Sequence, residues 1–164
     1  MTRFYVLLGL SLCFLSTIRA QTDPEIKFVP ADSIYNIINH PPDSTILVIN
    51  FWATWCRPCI EELPYFKQAD SVLKGENYLF IYVSLDAPSD KKAPVKFIKQ
   101  KKQGGRHYQL NETDLDQFIN KIDPNWGGSI PYTIVLSKSD RKNHEGAFEN
   151  YRQLWQFIRS LGKD

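Results

Sequence analysis

The sequence predicts an α/β fold, with a central mixed sheet flanked by helices, on three observations. An apolar run of strand composition, Thr45 to Ala53 (TILVINFWA), gives way to a helical pattern from Ile60 to Leu73. A second continuous apolar run, Tyr78 to Leu85 (YLFIYVSL), follows. Strand, helix, strand in that order implies a parallel pair with a right-handed crossover, and strands covered on both faces read as unbroken apolar runs. Third, Tyr132 to Ser137 (YTIVLS) precedes a polar turn, Lys138 to Asn143, and a partner strand expected at His144 to Glu149. That antiparallel hairpin makes the sheet mixed.

The remaining elements follow in chain order. Ile26 to Val29 is a short edge strand, and Ala31 to Asn39 carries Ile34, Ile37 and Ile38 at helical spacing. Pro41-Pro42-Asp43 ends that helix before the buried strand Ile46 to Phe51. The helix after it holds an interior proline, Pro64, which removes one backbone hydrogen bond and should kink it. Asp90 to Gln103 reads as a basic helix with Val95, Phe97 and Ile98 turned inward, and Tyr108 to Leu110 as a strand fragment. Thr113 to Ile122 reads as an acidic helix capped by Thr113 or Asp114. A terminal helix, Tyr151 to Leu161, places Leu154, Trp155, Ile158 and Leu161 on one face. Lys91 to Arg106 carries seven basic and no acidic residues, which is either a solvated face or a docking patch for an acidic partner.

Residues 1–20 have the layout of a secretory signal, with Arg3 as the basic end, Phe4 to Leu15 as the apolar stretch, and Ala20 closing a polar segment. The apolar stretch is short of the roughly 20 residues that span a membrane. Cleavage after Ala20 is the expectation; retention would leave an anchor. Residues 21–29 then form a linker and edge strand, and 30–164 one domain with its own core. Loss of Arg3 and Arg19 brings basic and acidic side chains into balance, which gives no support for nucleic-acid binding. The expected compartment is periplasmic or secreted, where an exposed dithiol tends to be oxidised.

Chemistry concentrates in Trp55-Cys56-Arg57-Pro58-Cys59, at the junction of strand and helix. The first amides of a helix lack partners within it and present the positive end of the dipole, so a thiolate at Cys56 is stabilised there. Such settings bring a cysteine from its free pKa of about 8.5 into a range of roughly 3.5 to 7.5. Cys59 lies one turn later, placed to close the ring. Pro58 falls in the first helical turn, where its missing N–H costs nothing, and Arg57 adds a positive charge near the Cys56 sulfur. Trp55 offers an apolar contact surface beside the thiols, whereas Trp52 suits the core. Two other uses of the pair stay open: half of a zinc site, for which a second ligand pair is not evident, and a static bridge. Gly127-Gly128-Ser129-Ile130-Pro131 immediately precedes the Tyr132 strand, and Trp126 before it suits either a groove or packing.

The WCRPC motif after a β run, with Ile-Pro-Tyr-Thr before a later strand, resembles thioredoxin-fold proteins. FWATWCRPCIEELP is more closely similar to the TlpA/ResA-like extracytoplasmic thioredoxins, and the leader and central helical insertion fit the same group. The resemblance covers roughly Pro30 to Gly162 and is weakest in the basic insertion. It implies a thioredoxin-like fold with a cis Ile130–Pro131 bond facing the dithiol, where the Ile130 backbone pairs with an extended substrate chain. It also implies that Glu62, third after Cys59, is a buried group near the thiols. Cytoplasmic thioredoxins carry an acid six positions before the first cysteine; this chain has Asn50 there, which cannot transfer a proton. Glu62 shares a helix face with Cys59, and burial would raise its pKa toward neutrality, as suits a proton acceptor. Its neighbour Glu61 points about 100° away.

The implied activity is extracytoplasmic thiol–disulfide exchange. Cys56 attacks a client disulfide and Cys59 resolves the mixed disulfide, with no cofactor beyond the Cys56–Cys59 pair and no metal. Implied partners are disulfide-containing proteins, apocytochrome c among them in the sense of cytochrome c maturation, and a membrane thiol-transfer protein as electron donor to a monomer. Rival readings on the same scaffold are a disulfide oxidase or isomerase, and a binding or redox-sensing module without turnover.

Overall fold

The computed structural model describes residues 25–161. The expected signal segment, the linker as far as Pro24 and the last three residues lie outside them. The described elements run β1 (Ile26–Val29), α1 (Ala31–Asn39), β2 (Ile46–Trp52), α2 (Arg57–Val72), β3 (Tyr78–Ser84), α3 (Lys92–Lys101), β4 (Arg106–Leu110), α4 (Leu115–Ile122), β5 (Tyr132–Leu136), β6 (Arg141–Glu145) and α5 (Tyr151–Arg159). They build one six-stranded sheet in the order β1-β4-β3-β2-β5-β6. β1, β4, β3 and β2 pair in parallel, whereas β5 and β6 run antiparallel to their neighbours. The mixed sheet expected from the sequence is thus present, with β2 and β3, its two unbroken apolar runs, at its centre.

Side-chain alternation along β2 sorts the core into two layers. Val48 and Trp52 face one side, with Phe66 of α2, Ile98 of α3, and Leu154 and Ile158 of α5. Leu47, Ile49 and Phe51 face the other, with Ile34 of α1 and Phe118 of α4. Because the strand period is two, one short segment supplies both faces without a polar interruption except Asn50. That asparagine is fully buried, and it points to the same side as Val48 and Trp52.

The central insertion does more than add helices. Its strand β4 is inserted between β1 and β3, so the expected fragment Tyr108–Leu110 lengthens to Arg106–Leu110 and becomes an interior strand. Asp114 is the α4 cap, accepting from Gln117 N at 3.0 Å. In α3 the basic side chains face outward, while Pro94 and Ile98 are buried and Val95 and Phe97 are half-buried. Helix α2 starts three residues before the expected Ile60 and continues through Pro64 as one helix.

The last strand needs correction: β6 is Arg141–Glu145, not His144–Glu149. A tight turn closed by Ser137 N to Asp140 O, 2.8 Å, sets the register Leu136↔Arg141. An edge strand needs ladder hydrogen bonds more than apolar side chains, so RKNHE serves, and Phe148 lies beyond the strand as a core residue. Gly146, at φ 100°, turns the chain out of the strand, and its N–H donates to Pro131 O at 2.9 Å.

Helix α5 closes the core over α2, and its amphipathic face supplies that contact. Ile158→Ala should lower stability by about 2–5 kcal/mol in urea unfolding. Val72→Ala, at a 55% exposed position, should change it by less than about 0.5 kcal/mol. Equal costs would show that α5 does not close the core.

Candidate active site

The cysteines sit where β2 ends and α2 begins. Cys56 is the N-cap of α2 and its N–H donates to Ala53 O at 3.1 Å, which folds the ATWC segment into a turn. Cys56 and Cys59 are joined as a disulfide with Cα atoms 5.3 Å apart, and Cys59 N donates to Cys56 Sγ at 3.3 Å. An unpaired helix amide therefore already points at the sulfur expected to carry charge. Cys59 is wholly buried and Cys56 retains 4% exposure, so Cys56 is the sulfur an incoming group can reach. Pro58 occupies the first turn of α2.

Asp86, which the sequence reading missed, holds this turn from behind. Its carboxylate accepts from Thr54 N at 3.1 and 3.2 Å, from the Thr54 hydroxyl, and from the Ser84 hydroxyl at 2.7 Å. Gln109 Nε2, from β4, donates to the Asp86 carbonyl at 3.3 Å. The available signal was an acid directly after the apolar β3 run, at the sheet end that carries the cysteines.

Across the site, the Ile130–Pro131 peptide is cis, and Ile130 O lies 3.6 Å from Cys56 Sγ. The loop is braced from two sides. The Glu145 carboxylate accepts from Gly127 N at 3.1 Å and Ser129 N at 3.0 Å, and Trp126 Nε1 donates to Ser129 O at 2.8 Å. Trp126 is buried, its ring stacked 4.2 Å from that of Tyr132, so of its two suggested roles it takes packing rather than lining a groove. Gly128 has φ 85°, a backbone conformation that favours glycine.

Glu62 is 1% exposed, as the resemblance implied. Its Oε1 accepts from Asn50 Nδ2 at 2.9 Å and its Oε2 from Phe148 N at 2.9 Å. Burial pushes its carboxyl up to about 7, with the Phe148 and Asn50 hydrogen bonds pulling partly back. Asn50 Nδ2 also donates to Thr133 Oγ1 at 3.2 Å, tying β2 to β5 beneath α2.

The outer residues separate. Trp55 is 68% exposed and borders a groove of about 310 Å³ lined by Leu85, Ala87, Pro88, Leu110 and Leu115, with Asp86, Glu112 and Thr113 also on its wall. Trp52 is buried, its ring centroid 5.1 Å from that of Phe97. Arg57 is exposed, and its Nε donates to Glu61 Oε1 at 2.8 Å. Its charge is therefore shared with an acidic neighbour as well as offered to Cys56, and solvent screens both. Among the described residues, no three His, Cys, Asp or Glu side chains converge as a metal site would require.

The chain matches a family profile described as thioredoxin-like over residues 43–142. It is 38% identical over 94 residues to thiol-disulfide oxidoreductase ResA of Bacillus cereus, covering 57% of this chain and 49% of that one. It is 28% identical over 91 residues to ResA of Geobacillus kaustophilus, covering 56% and 48%. The chain thus spans about half the length of the curated relatives it matches. Among solved structures, a thioredoxin-related protein from Neisseria meningitidis serogroup B superposes with TM-score 0.61 at 22% identity, covering 73% of this chain and 86% of that one. StoA from Bacillus subtilis gives 0.53 at 22%, covering 71% and 84%. A profile that spans the strand-to-helix cysteine turn, the insertion and the proline loop, on a sheet with the same fold as these structures, places the chain in the thioredoxin-like family.

Proposed function

We propose that this protein is an extracytoplasmic thiol–disulfide oxidoreductase that reduces disulfides in other proteins. The observation that carries the reading is the Cys56–Cys59 pair at the N-terminus of α2 with the Ile130 carbonyl facing the outer sulfur. The curated relatives bear the name of that activity.

In the reduced protein, the Cys56 thiolate attacks one sulfur of a client disulfide. A Cys56–client disulfide forms, the client bond breaks, and one client thiolate leaves. The Ile130 backbone and Pro131 hold the client chain in extended form beside it. The groove next to Trp55 receives apolar client side chains, because six of its nine lining residues are apolar, and it opens beside the cysteine turn. Cys59 then gives its proton to Glu62, and its thiolate attacks Cys56 Sγ. The second client thiolate leaves, and the Cys56–Cys59 disulfide is restored. Two electrons have passed to the client, and no cofactor enters, since the dithiol carries them. Regeneration requires an external dithiol, in this reading a membrane thiol-transfer protein. Apocytochrome c is a fitting client, and the protein acts as a monomer after removal of its leader, in the periplasm or outside the cell. An uncleaved leader would tether it; among the described residues no helix is long and apolar enough to cross a membrane.

Replacing the resolving thiol stops the cycle halfway. Cys59→Ser should accumulate covalent Cys56–client adducts on non-reducing gels of extracytoplasmic extracts, and Cys56→Ser should accumulate none. Equal yields from the two variants would refute the order of attack. Direction of electron flow is read from the reduction potential: a value close to about −270 mV supports a reductant, whereas one near −120 mV makes the protein an oxidant.

Glu62 also has a stability signature. Its folded-state pKa lies above its ordinary value, so between about pH 4.5 and 7 the folded protein keeps a proton that the unfolded chain gives up. Stability from this group is therefore fully present below pH 4.5 and lost as pH rises through 7. Glu62→Gln should be more stable than the parent at pH 8 by about 3 kcal/mol and nearly equal at about pH 4, measured by urea unfolding. In stopped-flow assays near neutral pH the same variant should slow resolution more than first attack; unchanged rates would remove Glu62 from the mechanism.

A further inference from the structure

Glu62 changes from a hydrogen-bond acceptor to a donor when it takes a proton, yet in the structure both of its oxygens face N–H groups. Phe148 N–H can only donate. The side chain of Asn50 carries both a donor and an acceptor. Its Nδ2 donates to Glu62 Oε1 and Thr133 Oγ1, while its Oδ1 is buried without any partner. With no donor on Oδ1, nothing on that side pins the amide in this orientation, and it belongs to the same group that touches the carboxyl. Turning the amide over about its last torsion would bring Oδ1 to face Glu62 and Thr133. It would then accept from a carboxylic acid on one side and from the Thr133 hydroxyl on the other, since a hydroxyl both donates and accepts.

We propose that Asn50 is a positioning residue that matches either protonation state of Glu62 by reversing its amide, with the Thr133 hydroxyl serving as partner to both ends. The inference rests on Glu62 being the proton acceptor for Cys59. The proton balance is Cys59 thiol plus Glu62 carboxylate giving Cys59 thiolate plus Glu62 carboxylic acid, and the reversed amide accepts the new O–H. An aspartate at this position would place a second negative charge against Glu62; a leucine would serve neither state, and the carboxylate would lose more because its hydrogen bond from Asn50 is charge-assisted.

Other titratable groups face the same space. Cys59 lies on α2 one turn before Glu62. Tyr82 of β3 is in register with Asn50, and its electrostatic neighbours include Glu62 and Asp70. His107 of β4 stacks 5.0 Å from the Tyr82 ring. His144 of β6 is in register with Thr133 and stacks 4.2 Å from Phe148, whose N–H holds Glu62. Burial lowers the pKa of both histidines and raises that of Tyr82, favouring the uncharged form of each. His144 is the group whose titration could imitate that of Glu62.

The test follows the resolving step from about pH 5 to 9 in the full chain, using a mixed disulfide with a small aromatic thiol on Cys56. Asn50→Ala, with Asn50→Leu as a volume-filling second variant, should move the inflection upward by about one pH unit, slowing resolution about ten-fold at pH 6. In the unsubstituted protein, contacts between the Asn50 side-chain amide protons and the Thr133 methyl, read by NMR, should weaken as pH falls through the same inflection. An unmoved inflection in a folded Asn50 variant, or amide contacts constant across the range, would overturn the proposal. So would loss of the inflection in His144→Gln. Glu62→Gln separates the two claims: if it leaves the profile intact, the role of Glu62 fails and this proposal with it. If it abolishes the inflection while Asn50→Ala leaves it in place, the amide reversal alone fails.

Discussion

The first turn of α2 governs this structure. Cys56 caps the helix with its sulfur, and the Cys59 amide at 3.3 Å supplies a donor that the helix cannot use internally. The sulfur can sit there only if β2 delivers the chain to the end of the sheet and the next residues turn at once. Asp86 enforces that turn by taking both the amide and the hydroxyl of Thr54. One end of the sheet thus carries the reactive pair, its brace from β3, and the proline loop that leads into β5.

The same architecture hides a carboxyl one turn behind the inner cysteine. Burying Glu62 costs stability near neutral pH, and the two N–H groups that hold it offset only part of that cost. A site that cared only for stability would place an apolar residue there. Its pKa of about 7 suits the taking and releasing of a proton that the proposed exchange requires. Its supports come from β2 and from the segment before α5, so the packing of α5 bears on the chemistry as well as on the core.

The proline loop is held by means unrelated to the cysteines. Glu145 from the edge strand β6 accepts two loop amides, and the buried stack of Trp126 on Tyr132 fixes the loop's base. This explains the value of an otherwise polar edge strand. It carries the carboxylate that positions Ile130 O next to Cys56, and its register depends on the tight turn at Ser137 to Asp140.

Local pattern and motif sufficed for most of the fold and for the place of the cysteine pair. The apolar runs of β2, β3 and β5 announce buried strands, and WCRPC marks a cysteine pair at a strand-to-helix junction, because periodicity and thiol spacing are properties of neighbouring residues. The cis bond at Pro131 and the burial of Glu62 came from family resemblance, since neither a minor peptide isomer nor a buried charge is favoured locally. Tertiary structure alone decided the rest: β6 as RKNHE, β4 as an interior strand, Asp86 behind Thr54, and Asn50 between Glu62 and Thr133. Apart from β6, whose register a tight turn sets, each of these depends on a partner far away in the chain, and a hydrogen bond between residues 83 positions apart, as from Asn50 to Thr133, leaves no trace in the pattern around either one.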